Sequence, residues 1–257
     1  WASGNAKEYQ FGFIAICRNR DTAKPIGWMR AAYATSNDKG ASWPLITIVS
    51  PEAGHADKIH VTTGTHATYV SYVYFGMSEI RVFASATATT AIVGFGYGPA
   101  TVETGESSPT TYTAYIENGN RLRVVPVVWS NPVRIGASTD LGAVQGYTGG
   151  PSACDGAQLT APGTRLRHIP IPQITRGGPH NATIYIAISN YDASTAQFEL
   201  VLWHFQDTEG PIHAIRTAYR YEGKHVLMPA IAWMEKDASG NGNLIATFYL
   251  ASKQNPY

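Results

Sequence analysis

The side chains able to do chemistry are spread along the chain rather than gathered in one motif. Eight histidines are present. His55, His60 and His66 lie near one another, but they read as solvated positions at strand ends, and there is no helical His-x-x-x-His pair or His/Cys cluster to converge on a catalytic zinc. The acids outside turns, Glu79, Glu117, Glu199 and Glu222, have no spacing that marks an acid/base pair. Glu79 and Glu199 are expected on exposed strand faces beside arginines such as Arg81. Gly94-Phe95-Gly96-Tyr97-Gly98 is followed by no helical pattern and makes no phosphate cradle. Asp237-Ala238-Ser239-Gly240-Asn241-Gly242 has the composition of part of a calcium loop without its distal Glu. It reads as a hairpin turn, a structural calcium ion there stays open, and no other cofactor or metal is expected. The rest of the polar inventory is histidine, tyrosine and arginine spread among strand runs. Such groups bind a hydroxylated ligand through hydrogen bonds and ring stacking.

The elements that must carry these groups are strands. No stretch keeps a helical apolar period, whereas short alternating runs rich in Val, Ile, Thr and Tyr recur between Gly, Pro and Asn clusters. The runs begin at 11–17 and 28–35 and continue as 57–61, 67–75 and 79–85. The same succession returns at 111–116, 121–129 and 133–138, and again at 168–174, 183–189 and 198–205. Residues 96–109 and 142–164, rich in Gly, Pro and Thr without alternation, are expected to be long loops. Trp203 and Trp233 fall inside strand runs, where core packing is the expected role.

Ser36-Asn37-Asp38-Lys39-Gly40-Ala41-Ser42-Trp43 has the makings of a tight turn. Asp38 can accept backbone N–H groups, Gly40 can take positive φ, and Trp43 can bury its ring beneath the turn. This Ser-x-Asp-x-Gly-x-Ser-Trp pattern resembles the Asp box, or BNR repeat, of the sialidase superfamily. Decayed copies follow at Arg81-x3-Ser85-x-Thr87 and at Arg134-x3-Ser138-x-Asp140-x-Gly142. Met228-Pro229-Ala230-Ile231-Ala232 and the Asp237 turn are similar to the opening of a blade in that superfamily. The resemblance implies an all-β fold, a β-propeller of about five or six four-stranded antiparallel blades, some incomplete. Its Asp-box turns join the third and fourth strands of a blade, so Ser36, Asp38, Gly40, Trp43, Ser138, Asp140 and Gly142 are expected to be structural. On these strand runs the chain opens and closes on a second strand, giving three full blades and two partial ones.

At 257 residues the chain is expected to form a single domain over 1–257, either whole or as a piece of a longer chain. It starts at Trp1 and reads as a mature or trimmed product. Charged residues make up 14% of it and the formal net charge is +1. Without a Lys/Arg run, nucleic acid is not an expected partner, and no apolar run approaches the ~18 residues of a membrane helix. The low charge, the hydroxyl-rich strands and the sequon Asn181-Ala182-Thr183 point to secretion or a cell surface. Cys17 and Cys154 are either one disulfide or two unrelated small hydrophobes. Oligomeric state is not readable.

In a propeller the starts of the inner strands face a central funnel. The resemblance therefore places Asp57, Lys58, His60, Tyr112, Arg165, Arg167, His168 and His225 there as candidate ligand-binding residues. Sialidase-type hydrolysis also requires a clamp of arginines, a Tyr nucleophile activated by Glu and an Asp acid/base. The family's Arg-Ile-Pro inner strand is absent. Arg167-His168-Ile169-Pro170 is the nearest approach, with an inserted His and after the Asp boxes. The expectation is a non-catalytic binding or scaffold module taking a glycan or protein ligand. The alternatives are a divergent sialidase-like glycosidase or lyase, and a structural subunit of a larger assembly.

Overall fold

The computed structural model describes residues 2–4, 9–17, 28–50, 55–104, 109–117, 120–145, 157–161, 164–168, 171–178, 182–207, 211–237 and 239–252. Of these, residues 2–4, 9–17, 28, 157–161, 164–168 and 252 are described as backbone strand alone. The pairing of Cys17 and Cys154, the sequon Asn181 and the side chains of Arg165, Arg167 and His168 lie outside the described residues. The chain divides into two compact units, 1–113 with 125–137 and 114–124 with 138–257. Among the described residues there are strands and turns and no helix.

The first unit opens with a four-stranded antiparallel meander, β1 (Ala2–Gly4), β2 (Tyr9–Cys17), β3 (Trp28–Ser36) and β4 (Leu45–Ile48), paired in chain order. The short β1 was not visible in the sequence, so this meander is complete rather than opening on a second strand. Next come β5 (His55–Thr63), β6 (Thr68–Phe75), β7 (Glu79–Ala84) and β8 (Thr89–Thr104), again in order. The expected loop at 96–109 is corrected here, because β8 runs unbroken through 16 residues. Its first part, to Phe95, pairs with β7 and alternates between buried and exposed; from Gly98 to Thr104 every residue is buried. One strand thus closes a meander and opens the next. Gly96 (φ 154) and Gly98 (φ 62) allow the bend between the two roles, which is why the segment looked like a loop.

β8 is followed in the same sheet by β9 (Thr110–Glu117) and β10 (Arg121–Val128), with the short β11 (Arg134–Ile135) and β12 (Thr139–Ala143) both on the far edge of β10. The second unit adds a hairpin of β13 (Ala157–Ala161) and β14 (Thr164–His168), so part of the second expected loop is also strand. It then forms the meander β15 (Gln173–Gly177), β16 (Thr183–Asp192), β17 (Gln197–Gln206) and β18 (Ile215–Tyr219). It ends with a two-stranded sheet of β19 (Lys224–Glu235) and β20 (Gly242–Ser252). Each unit has its own core. Tyr33, Val49, Ile59, Val61, Val70 and Tyr72 pack together in the first, and Ala187, Leu200 and Val226 beside Phe198 and Leu227 in the second. Large side chains buried in this way contribute ~1.5–3 kcal/mol each.

The Ser36–Trp43 turn joins β3 to β4, third to fourth strand of its meander. Ser36 Oγ accepts the Gly40 N–H (2.8 Å) and donates to Asp38 Oδ1 (2.6 Å). Asp38 in turn accepts the Ser42 N–H (2.8 Å) and hydroxyl (2.5 Å). Lys39 (φ 60) and Gly40 (φ 87) turn the chain, and the Trp43 ring lies against Gly40 while staying 37% exposed. Trp43 therefore braces the turn from outside instead of being buried beneath it. Donation from Ser36 and Ser42 holds the Asp38 carboxyl at about 2. Because this pKa is depressed on folding, the contribution of Asp38 to the turn is full above pH 3.8 and is lost as pH falls from there through about 2. Asp38→Ala is expected to remove hydrogen-exchange protection from the Ser42 amide while leaving the β6 amides untouched, as read by exchange NMR.

The copy at Ser85 is likewise a turn between third and fourth strands. Thr68 N–H donates to Ser85 Oγ (2.9 Å) and Ala88 N–H to the Ser85 carbonyl (3.4 Å). The third copy, at Ser138, Asp140 and Gly142, differs from an open turn in where two of its residues stand. Asp140 and Gly142 belong to β12, paired with β10, and Asp140 bridges Arg121 (2.5 Å) and Arg123 (3.5 Å). That carboxylate serves both roles: it pairs with arginines of the neighbouring strand, and its Oδ1 accepts the Gly142 N–H at 2.9 Å.

Candidate functional site

Two strands slip register in a way that re-aims side chains. β5 bulges between Asp57 and His60, with Lys58 at φ 52, and β19 bulges between Leu227 and Ala230, with Met228 at φ 49. A non-glycine residue held in this region costs ~1–2 kcal/mol, and bulges of this kind turn side chains outward. At the first bulge Asp57 Oδ1 accepts the Lys58 N–H (2.7 Å), and the two side chains form an ion pair at 3.1 Å, each about one-third exposed. At the second, Met228 is exposed.

The other candidates from the sequence turn inward. His60 is buried, and its Nδ1 accepts the Thr101 N–H at 3.4 Å. His225 is buried likewise, with its Nδ1 accepting the Phe198 N–H at 3.1 Å. Tyr112 is 4% exposed. These three were expected at a wet funnel mouth and are interior instead; His60 and His225 stand on the two bulged strands, and Tyr112 is buried within β9. Burial pushes the His60 imidazole down to about 4, keeping it neutral as an acceptor. Arg165, Arg167 and His168 are placed on β14.

A Tyr–Glu pair is present in the first unit. Tyr69 OH donates to Glu103 Oε1 at 2.9 Å, and both residues are sealed from solvent, at 0% and 1% exposure. The same carboxylate accepts the N–H groups of Thr65 and His66, and His66 Nδ1 lies 2.8 Å from Oε1. A Cβ on Gly64 would fall on the carboxylate, so glycine there makes room for it. Burial first, and the Glu103 charge second, push the Tyr69 phenol up. An activated nucleophile needs the opposite shift and an open approach. The pair is a clamp on the turn between β5 and β6.

Glu79 and Glu199 are buried, not exposed as expected, and each is held by arginine. Arg81 reaches Glu79 at 2.5 Å and stacks 4.0 Å from the Tyr74 ring, while Arg216 and Arg220 reach Glu199 at 3.2 and 2.7 Å. Among the described residues no group of three His, Cys, Asp or Glu side chains is placed to hold a metal ion. The Asp237 turn closes on itself, its carboxylate accepting the Ser239 N–H (2.9 Å), the Asn241 N–H (3.2 Å) and Asn241 Nδ2–H (3.0 Å).

An open concavity lies in the second unit, between one face of β16–β18 and the β19–β20 sheet. It is a cleft of about 530 Å³, within the ~300–1,000 Å³ of small-ligand sites. Ala187, Leu200, Leu202 and Leu244 make an apolar floor, and Tyr185, Tyr219, Tyr221 and Phe248 supply rings, with Thr217 and His204 as further polar groups. The rings are pre-set. Tyr185 stacks on Trp233 (5.5 Å, 11°) and leans on His204 (6.1 Å), and Tyr221 packs on Phe248 (5.3 Å). Sequence reasoning passed over this cleft. The usable signal was period two: Thr217, Tyr219 and Tyr221 share one parity, as do Leu200, Leu202 and His204.

No family model matches the sequence, and a search of curated proteins finds no match. Among solved structures the chain is similar to one titled "NanB plus Optactamide", at 10% identity and a TM-score of 0.52, over 93% of this chain. The chain spans 38% of that structure's chain. It is also similar to "Bifunctional GH43-CE Bacteroides eggerthii", at 10% identity and a TM-score of 0.46, over 98% of this chain and 32% of that one. The first likeness is one of fold, and with the antiparallel meanders it makes this chain an all-β propeller of four-stranded blades, some incomplete.

Proposed function

We propose that this chain is a non-catalytic, carbohydrate-binding β-propeller module whose ligand lies in the cleft between β16–β18 and β19–β20. The observation that carries the reading is the cleft itself: rigid rings over an apolar floor, with phenol, hydroxyl and imidazole groups among them. Sugars present an apolar ring face and a periphery of hydroxyls, which this pairing of aromatic plane and polar tip matches. The fold likeness to NanB, a sialidase, supports a carbohydrate connection by analogy. Turnover is disfavoured by the sealed Tyr69–Glu103 pair, which gives a substrate no access to its phenol. The Asp box is the reading we favour for the Ser36–Trp43 turn.

The test is paired. The chain is expected to bind members of a glycan array and to leave a fluorogenic sialoside intact. Sialoside turnover that survives purification and disappears in Tyr69→Phe would overturn the non-catalytic reading.

A further inference from the structure

We infer that the cleft takes short neutral oligosaccharides and discriminates against acidic ones, an inference that rests on the cleft being a glycan site. Among the described residues that line the cleft, none is Asp, Glu, Lys or Arg. On β17 and β18 the charged side chains are turned away from the cleft by strand parity. Glu199 lies on the other face of β17 from Leu200 and Leu202, and Arg216 on the other face of β18 from Thr217 and Tyr219. There they are consumed by one another: Arg216 and Arg220 hold Glu199 at 3.2 and 2.7 Å, and Arg220 also reaches Asp192 at 2.7 Å.

A sugar carboxylate entering the cleft would lose its hydration and meet phenols, a hydroxyl and an imidazole over an apolar floor, without the guanidinium that normally compensates such a charge. A neutral pyranose loses much less. Tyr219 and Tyr221 are exposed, at 47% and 40%, and offer the ring faces that a sugar can reach. Tyr185, held between Trp233 and His204, is fixed before any ligand arrives, so little ordering cost falls on binding at that end.

The experiment is calorimetric titration of the full chain with neutral probes (cellotriose, xylotriose, lactose) and acidic probes (3′-sialyllactose, trigalacturonate). At least one neutral probe is expected to bind, with both acidic probes weaker than it by about tenfold or more. Tyr219→Ala and Tyr221→Ala, checked for unchanged melting, should each weaken the neutral probe by about tenfold, and Tyr219→Phe by much less. An acidic probe binding as tightly as the best neutral one overturns the inference and leaves the glycan reading standing. Neutral binding indifferent to both alanine substitutions moves the ligand elsewhere and also overturns it. Failure of every probe, neutral and acidic, removes the glycan reading together with the inference.

Discussion

Glu103→Ala should destabilise the protein by ~3–5 kcal/mol, the largest single-residue effect expected here. The carboxylate is 1% exposed and serves the Tyr69 hydroxyl, the Thr65 and His66 N–H groups and the His66 ring together. Truncation leaves the Tyr69 hydroxyl buried without this acceptor, removes the acceptor of the Thr65 and His66 groups, and opens a void beside Gly64, and these costs add. Urea unfolding at neutral pH measures the loss directly. Tyr69→Phe, which removes one donor and keeps the ring packed against Trp129 at 5.7 Å, should cost only ~1 kcal/mol. Equal losses in the two variants would mean that the Tyr69 hydroxyl accounts for the whole effect and that the bonds from Thr65 and His66 add nothing.

Stability should also fall by about 3 kcal/mol between pH 6.5 and pH 4 because of His60 alone. The folded pKa is depressed, from 6.5 to about 4, since burial disfavours the charged imidazole. Between those values the unfolded chain binds a proton that the folded chain refuses, so acid favours unfolding. Above pH 6.5 the group contributes no slope, and below about pH 4 the loss is complete. His60→Gln retains an acceptor and does not titrate. Denaturation midpoints of parent and variant should therefore run parallel above pH 7 and converge or cross as acid is added. A parent slope unchanged by the substitution would place the acid sensitivity in another group.

The turn at Ser36–Trp43 was legible because its bonds are local. Ser36, Asp38 and Ser42 satisfy one another within one short stretch, so residue types and spacing suffice to place it between strands. The all-β class was legible for the same reason, since strand alternation has a period that a single segment displays. At the Ser138–Gly142 copy the shared spacing foretold the local bond from the Gly142 N–H to Asp140, but not the pairing of that aspartate with arginines on a neighbouring strand.

What local pattern could not supply was the side on which each candidate lands. His60 and His225 looked like mouth residues and are interior, on the two strands that bulge at Lys58 and Met228. The Tyr69–Glu103 clamp joins residues far apart in the chain, with no motif to announce it. The aromatic cleft draws on β16, β17, β18, β19 and β20 together, each contributing residues of one parity that on any single strand look like ordinary core. Strand class and turn chemistry are encoded over a few neighbouring residues. Burial, pKa and the shape of a cleft depend on which faces of distant strands are brought together, and pairing and register settle that only once the chain has folded.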